Sequence, residues 1–329
     1  MALSILTIVR TILLASIFIL SLYSLTHSYG LKTDLEVIDD KKNQTYESQD
    51  FNFVVGGDFG CSEDARKTIQ AMENKEPELV IALGDLAYKK NPECWFDMIS
   101  QLDNNNKFKI SFGEHDVSRG NTTYGQYLKH FNLSKPFYSF DYKNIHFLAM
   151  ATAKNKIIRY NHTSEQYQFI KTDLMDADRN QSIDWIIVYS FRSFYSSNTT
   201  HPGLDELQDA YHPLFDKYHV DLVFQGHNHN YQRTYPLSYN ITKQYTPIIT
   251  DTNTEHYSNI EKGQLFLTAG TGGAELYNFT GQAPYVVKQL VRHGFLNVDS
   301  THSGSKLWVT FYDNNGIARD EMSISKTDN

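Results

Sequence analysis

The sequence has no excess of positive charge: 30 lysines and arginines stand against 38 aspartates and glutamates, for a formal net charge of -8. A surface that coats nucleic acid is therefore not expected. Internal repeats and low-complexity tracts are also absent from the sequence. Aromatic residues make up 14% and hydrophobic residues 40% of the chain, which favours an ordered globular protein. A length of 329 residues suits one large domain or two small ones.

The first 30 residues lack a clean A-x-A cleavage site. Arg10 precedes an apolar run at residues 12–25, and small and polar residues follow this run. A basic residue before a short apolar core is typical of a secretory signal, and the run is shorter than the ~20 residues of a spanning helix. Because residues 1–9 are also apolar, an uncleaved membrane anchor is the alternative. Both interpretations predict a protein outside the cytoplasm, with residues 31–50 as a linker and residues 51–325 as the folded domain.

Strand-like and helix-like segments alternate from residue 51 onward. The strand-like segments FNFVVGGD, LVIALGD and KFKISFG are separated by CSEDARKTIQAMENKEP and CWFDMISQLDN, which have helical character. Further along, SIDWIIVYSF and DLVFQGH are strand-like and enclose the helical segment LDELQDAYHPLFDKY. This rhythm predicts an α/β fold in which two mixed sheets pack face to face with helices outside.

Two local patterns make sharper structural predictions. Residues 137–152 read as a hairpin that turns at Lys143-Asn144. Thr163 and Gln166 match a capping box, which predicts a helix that begins there and runs to about Ala177.

Polar side chains with metal-binding chemistry follow the predicted strands. The motifs are GDFG, GDLAY, GEHD and GHNH, and they contain Asp58, Asp85, Tyr88, His115, His227 and His229. A single Gly-Asp pair after a strand is often only a turn. Carboxylate, phenolate and imidazole groups delivered from several strand ends are, however, what a two-metal hydrolase needs. In such a site, two cations about 3.5–4 Å apart bind the oxygens of a phosphate ester and stabilise the leaving oxygen.

The ordered motifs resemble the signature of calcineurin-like metallophosphoesterases, and GDxxY resembles purple acid phosphatases in particular. The resemblance runs from about residue 51 to about residue 320 and includes GHNHNYQRTYPL. It implies a four-layer αββα sandwich and two metal ions, expected to be iron, zinc or manganese. The ligands implied for the first ion are Asp58, Tyr88 and His229, with Asp85 bridging both ions and His227 on the second.

The sequence departs from the family pattern at the second metal. Glu114 stands where the family has an asparagine ligand, and Phe191 stands where it has a histidine ligand. Phe191 cannot bind a metal, whereas Glu114 is either a replacement ligand or a salt-bridged loop residue. The second ion is therefore predicted to be weakly bound or absent.

Two further histidines have roles implied by the resemblance. His115 matches the family histidine that contacts the phosphate. His201 follows Phe191 by ten residues, where the family keeps a histidine near the leaving group. The alternative for His201, whose match rests on spacing alone, is an ordinary surface histidine.

Together these features predict an exported enzyme that hydrolyses a small phosphate monoester by attack of a metal-bound hydroxide. His115 would orient the phosphate and His201 would protonate the leaving oxygen. The sequence contains no motif for a serine or cysteine nucleophile. Two alternatives stay open: a degenerate relative that serves as a binding or surface protein, and a phosphodiesterase.

Cysteine is scarce, and its placement bears on export. Cys61 and Cys94 each lie shortly after a predicted metal motif, so their loops are expected on the same rim. A disulfide between them would suit an exported protein, and two unpaired thiols are the alternative. Eight N-x-S/T sequons weakly indicate a glycoprotein, at Asn43, Asn121, Asn132, Asn161, Asn180, Asn198, Asn240 and Asn278.

Overall fold

A computed structural model describes residues 50–103, 107–117, 121–154, 158–243, 246–260 and 262–326. The predicted signal or anchor and nearly all of the predicted linker belong to residues 1–49, which lie outside these ranges. No helix within the described ranges combines the length and the hydropathy needed to cross a membrane.

Two large sheets organise the described residues. The strands are, in chain order, β1 (Phe51–Gly56), β2 (Leu79–Ala82), β3 (Phe108–Ile110), β4 (Tyr138–Tyr142), β5 (Ile145–Met150), β6 (Trp185–Ser190), β7 (Leu222–Gln225), β8 (Tyr231–Thr234), β9 (Leu237–Ser238), β10 (Ile248–Ile249), β11 (His256–Ser258), β12 (Leu265–Ala269), β13 (Val286–Leu290), β14 (Gly294–Thr301), β15 (Lys306–Asp313) and β16 (Ala318–Ser325). One seven-stranded sheet has the order β11-β16-β15-β14-β1-β2-β3 and the other β13-β8-β12-β7-β6-β5-β4, while β9 and β10 pair separately. Both seven-stranded sheets are mixed, since each contains parallel and antiparallel pairs.

Helices cover the outer faces of both sheets. They are α1 (Glu63–Glu73), α2 (Glu93–Ile99), α3 (Glu114–Val117), α4 (Asn121–His130), α5 (Glu165–Arg179) and α6 (Asp205–Lys217). Apolar side chains of α1, α2 and α4 pack with the outer side chains of β1, β2 and β3. Those of α5 and α6 pack with β5, β6 and β7. The layers therefore run helix, sheet, sheet, helix, and the predicted fold class is confirmed.

The main apolar core lies between the two sheets. Phe53 of β1 meets the ring of Phe147 of β5 edge-on, with centroids 5.3 Å apart, and that of Phe224 of β7 at 6.2 Å. Fully buried side chains from both sheets surround these rings. Edge-to-face contact adds to the burial of aromatic area, so the two sheets are held as a rigid pair beneath the site.

The hairpin prediction is confirmed, because β4 and β5 pair antiparallel with Tyr142 opposite Ile145. The capping-box prediction is wrong by one residue. Ser164 is the N-cap of α5, and its hydroxyl accepts a hydrogen bond from the Tyr167 amide at 3.1 Å. The Gln166 side chain instead bonds to the backbone of Ala151 through both of its polar atoms. A buried tertiary contact thus replaces the local reciprocal bond that a capping box would use.

Parallel strands bring the predicted motifs to one edge of each sheet. In the first sheet β1, β2 and β3 are parallel, and in the second β5, β6 and β7 are parallel. Asp58, Asp85 and His227 lie two or three residues after the carboxyl ends of β1, β2 and β7. Glu114, His115, Tyr88 and His229 lie four to six residues after a strand end, and His201 lies eleven residues after the end of β6. A hydrogen bond of 2.8 Å from the His227 amide to Asp58 Oδ2 joins the two edges.

Candidate metal centre

The backbone is strained at four predicted ligands. Asp58, Asp85, Tyr88 and His227 have φ angles of 56°, 50°, 55° and 69°. Residues other than glycine rarely adopt this left-handed conformation, and such strain persists where the surrounding structure enforces it, often at functional sites. The turns after β1, β2 and β7 therefore aim these side chains at the cost of local backbone energy.

Asp58, Tyr88 and His229 form the first cluster. The Tyr88 hydroxyl lies 3.1 Å from Asp58 Oδ1 and 2.9 Å from His229 Nε2. His229 Nε2 lies 3.3 Å from Asp58 Oδ1. Donor atoms that are each ~2.0–2.2 Å from one ion lie roughly 3–3.5 Å from one another. The three atoms therefore have the mutual spacing of ligands around a single metal ion.

The imidazole of His229 is oriented for ligation. Its Nδ1 donates to the carbonyl oxygen of Glu275 at 2.6 Å, which leaves the lone pair of Nε2 facing Asp58 and Tyr88. A hydrogen bond donated by the ring nitrogen that does not bind the metal fixes the tautomer of a metal-binding histidine. The ring also stacks on Tyr277, with centroids 4.0 Å apart. Burial opposes a charged imidazole, but the Asp58 carboxylate outweighs it, and the pKa of His229 lies above its ordinary value.

Negative charge is concentrated around the first cluster. Burial raises the pKa of the Tyr88 phenol, and the carboxylates of Asp58 and Asp85 raise it further. Burial likewise raises the pKa of Asp85 well above its ordinary value, with added contributions from Asp116 and Asp58. Buried acids crowded in this way repel one another unless a cation is present. The donor set and its charge therefore fit a bound metal ion.

The backbone at Gly113 and His115 lies close to the Asp85 carboxylate and fixes its position. Its Oδ1 accepts a hydrogen bond of 2.7 Å from the His115 amide. A Cβ atom at Gly113 would lie only 2.1 Å from the same oxygen, so only glycine fits there. His115 Nε2 lies 4.0 Å from Asp85 Oδ2, and its ring lies 4.5 Å from that of Tyr88. The structure thus brings His115 to the edge of the first cluster.

Asp116 is a site residue that the sequence reasoning missed. Its fully buried carboxylate accepts hydrogen bonds from the amides of Asp85, Leu86 and Gly113, at 2.8, 2.9 and 2.9 Å. Burial raises the pKa of Asp116 to about 7, although these three bonds lower it. The carboxylate clamps the turn after β2 to the turn after β3. The sequence shows this aspartate as the last residue of the GEHD motif, but its positioning role can be recognised only from its contacts with a distant turn.

The second cluster differs in chemistry from the first. Nε of Arg192 bonds to Glu114 Oε1 at 2.5 Å, and Nη2 of the same side chain contacts that oxygen as well. Glu114 Oε2 lies 3.5 Å from His227 Nδ1. The ring of Phe191 is fully buried against His227, with centroids 4.8 Å apart. In the structure Glu114 is salt-bridged, and it lies at the first residue of α3 and not in a loop.

His227 and His201 stack on each other, with ring centroids 3.8 Å apart and planes 15° apart. Asn228 holds the backbone of His201 through its side chain, which accepts from the amide at 3.1 Å and donates to the carbonyl at 2.8 Å. Burial lowers the pKa of His227 to about 2, and the charges of His201 and Arg192 contribute. His201 thus lies against His227 in the second cluster, and its role stays a prediction.

Metal fit differs between the two clusters. Among the described residues, no group of three or more histidine, cysteine, aspartate or glutamate side chains is arranged to hold a metal ion. The first cluster fits one ion because the Tyr88 phenol completes the set formed by Asp58 and His229. The second does not fit, because Phe191 offers no donor and Glu114 is neutralised by Arg192. The individual ligand roles stay predictions.

A cleft of about 500 Å³ opens beside the first cluster, lined in part by Tyr88, His229 and Tyr277. Cys61 also lines this cleft and forms a disulfide with Cys94, with Cα atoms 6.1 Å apart. The disulfide ties the loop after β1 to the start of α2, so the two loops do share a rim.

Comparison with known proteins identifies the class. A sequence model described as calcineurin-like phosphoesterase matches residues 33–231. The match covers more than half of the chain, and the chain therefore belongs to the calcineurin-like phosphoesterase family.

Within that family, the relatives are purple acid phosphatases. The chain is 25% identical to purple acid phosphatase 21 of Arabidopsis thaliana over 241 residues, which are 67% of this chain and 49% of that protein. The chain spans about half the length or less of the first curated relatives it matches.

Solved structures share the fold. A purple acid phosphatase from yellow lupin (Lupinus luteus) seeds superposes with a TM-score of 0.68 and 22% identity, over 85% of this chain and 54% of that one. GAP50, described as the anchor in the inner membrane complex of Plasmodium, superposes with a TM-score of 0.62 and 16% identity, over 86% of this chain and 90% of that one. At these identities the likeness is one of fold.

Proposed function

We propose that this chain is a metal-dependent hydrolase of phosphate monoesters with one firm metal position. The observation that carries the proposal is the triangle of Asp58, Tyr88 and His229 donor atoms, 2.9 to 3.3 Å apart. Asp85 adds a second carboxylate, whose pKa is raised by burial and raised further by the charges of Asp116 and Asp58. Membership of the phosphoesterase family supports the reaction type, and relatives named purple acid phosphatases support a monoester substrate.

The side chains have separable tasks in this reaction. Asp58, Tyr88, His229 and Asp85 would hold the ion, which when bound polarises a phosphate oxygen and lowers the pKa of a coordinated water. His115, at the edge of this cluster, would orient the phosphate. His201, held by Asn228, would give a proton to the leaving oxygen. The cleft lined by Tyr88 and Tyr277 would admit the rest of the substrate.

A comparison of two substrates tests the proposal. The protein is stripped with a chelator, supplied with iron, zinc or manganese, and assayed with p-nitrophenyl phosphate and bis(p-nitrophenyl) phosphate. We expect turnover of the monoester that depends on added metal. Faster turnover of the diester would instead identify a phosphodiesterase. Bound metal without turnover of either compound would reject a hydrolase.

The alternative is a degenerate relative that serves as a binding or surface protein. Phe191 and the Glu114–Arg192 ion pair favour it, because both remove donors from the second cluster. GAP50, an anchor in the inner membrane complex of Plasmodium, has a similar fold over 86% of this chain and 90% of its own. In this case the first cluster would bind a metal for stability, and chelation would lower the melting temperature without an assayable activity.

Restoring the family pattern should strengthen binding of a second metal. Phe191→His supplies the missing imidazole, and Glu114→Asn supplies a neutral amide oxygen and releases Arg192. Changes outside the direct ligands already alter metal affinity ~10–100-fold, so we expect a gain of at least that size in the double variant. The double change should help more than either single one, because both ligands serve one ion. Metal content after dialysis is the measurement, and unchanged content in the double variant would contradict the expectation.

We also propose that the protein is exported. The apolar run at residues 12–25 and the Cys61–Cys94 disulfide support this, since disulfides persist in oxidising compartments. Among the sequon asparagines whose exposure the structure describes, five are exposed and could carry glycans: Asn132, Asn161, Asn180, Asn198 and Asn278. Recovery of the full-length chain from the cytoplasm, with Met1 retained and both thiols reduced, would contradict export.

A further inference from the structure

We propose that the guanidinium of Arg192 takes the place of a second metal ion and binds an oxygen of the substrate phosphate. This inference rests on the proposed phosphoesterase function and adds a phosphate-binding residue to it. The site would then work with one ion and one fixed organic cation. Sequence reasoning identified what the second position had lost and named only Glu114 as a possible replacement.

Arg192 reaches the second position because of where β6 ends. The strand ends at Ser190, and the next residues are Phe191 and Arg192. The Arg192 amide donates to Thr152 Oγ1 at 2.8 Å, which fixes the backbone next to the end of β5. Glu114, which contacts both side chains, places the guanidinium beside the imidazole of His227.

Glu114 holds the guanidinium by one edge. Nε and Nη2 of Arg192 both face Glu114 Oε1. The same oxygen accepts a hydrogen bond of 3.0 Å from the Lys154 amide, and Oε2 lies 3.5 Å from His227 Nδ1. The carboxylate is therefore anchored at several points and is a poor candidate to leave Arg192 for a metal ion.

The other edge of the guanidinium is open to a ligand. Within the described ranges, Nη1 of Arg192 has no protein acceptor. The side chains of Arg192 and Glu114 are 15% and 22% exposed, so neither is sealed from solvent. A guanidinium has five donors in a planar fork and binds phosphate through two parallel bonds. An ammonium lacks this fork.

A purely structural ion pair is the competing explanation, and it makes a different prediction. In that case Arg192 would only neutralise Glu114, and its loss would affect folding or metal content but not phosphate affinity. The test therefore measures binding of inorganic phosphate by titration calorimetry to protein loaded with metal, and metal content in the same samples. Neither readout requires turnover.

The variants are Arg192→Gln, Arg192→Lys and the matched control Arg179→Gln. Arg179 ends α5 and precedes β6, whereas Arg192 follows the far end of that strand, so the control removes a charge at the opposite edge of the sheet. We expect Arg192→Gln to weaken phosphate binding ~10–100-fold, the range for a lost hydrogen bond to a charged group. The phosphate affinity of Arg192→Lys should fall between those of Arg192→Gln and the unaltered protein, and both variants should keep one ion per chain.

Wild-type phosphate affinity in Arg192→Gln would overturn the inference and leave the proposed function standing. Absence of both metal and phosphate binding in the unaltered protein would overturn both. If Arg192→Gln does not fold, Arg192→Lys decides, because it keeps the charge that Glu114 needs. An Arg192→Lys variant that binds phosphate as tightly as Arg179→Gln would contradict a role for the guanidinium fork.

Discussion

Replacing Asp58 with asparagine should remove the firmly held metal ion and lower the turnover of p-nitrophenyl phosphate by more than ~100-fold. The lower bound comes from residues that only orient ligands, whose loss already costs ~10–100-fold in metal affinity or activity. Asp58 is fully buried, and its two oxygens meet the Tyr88 hydroxyl and the His227 amide. Asparagine keeps the shape of this side chain but removes the charge that offsets a cation. Metal analysis and the rate of turnover check the expectation.

In the metal-free protein, Asp58→Asn has two opposing effects on stability. Burial raises the pKa of Asp85 and Asp116, and the charge of Asp58 raises both further, so the three carboxylates repel one another without a cation. Removing one charge relieves this repulsion, but asparagine offers a single acceptor oxygen to the Tyr88 hydroxyl and the His227 amide and removes the counter-charge of the His229 imidazole. The matched control is Asp64→Asn on α1, where the carboxylate is 47% exposed. A variant that keeps one ion per chain would rule out Asp58 as a ligand.

Replacing Asp320 with alanine should lower the free energy of unfolding by ~3–5 kcal/mol, the usual effect of leaving one partner of a buried ion pair alone. Arg233 of β8 and Asp320 of β16 belong to different sheets. Two hydrogen bonds of 2.6 and 2.9 Å join them, and the Tyr231 hydroxyl donates to the same carboxylate at 2.7 Å. Without Asp320, a guanidinium that is only 2% exposed loses its counter-charge.

Urea unfolding of both proteins measures this difference. The control is Glu165→Ala, which breaks the Lys135–Glu165 pair, whose side chains are 53% and 72% exposed. Exposed pairs contribute at most about 1 kcal/mol. Equal effects of the two substitutions would show that the buried pair adds nothing beyond a surface pair. A shift in the slope of the unfolding curve would instead point to an altered unfolded state.

Local patterns in the sequence were sufficient for much of the fold. The hairpin at Lys143-Asn144 was predictable because alternating strands flank a short turn. The N-cap of α5 was not predictable, because Thr163 and Ser164 are both acceptable caps. The Gln166 side chain that a capping box would use is hydrogen-bonded to the backbone of Ala151 instead. The short strand β11, residues His256–Ser258, was also missed. It exists by pairing in parallel with β16, whose partner residues lie 67 residues farther along the chain.

The candidate site was also predictable from the sequence only in part. Order along the chain placed Asp58, Tyr88 and His229 together, because each follows a strand of the paired sheets. The partner of Glu114 was unpredictable, since Arg192 lies 78 residues away along the chain. The role of Asp116 was not predicted for a similar reason, because it depends on hydrogen bonds that the carboxylate accepts from backbone amides of another turn.

The number of metal ions that each chain retains is the most direct test of the central claim. The purified protein would be saturated with iron, zinc or manganese, dialysed against metal-free buffer and analysed for metal and protein together. One ion per chain is predicted, because the first cluster offers a complete donor set and the second is closed by Phe191 and the Glu114–Arg192 pair. Two retained ions per chain, or none, would contradict the account.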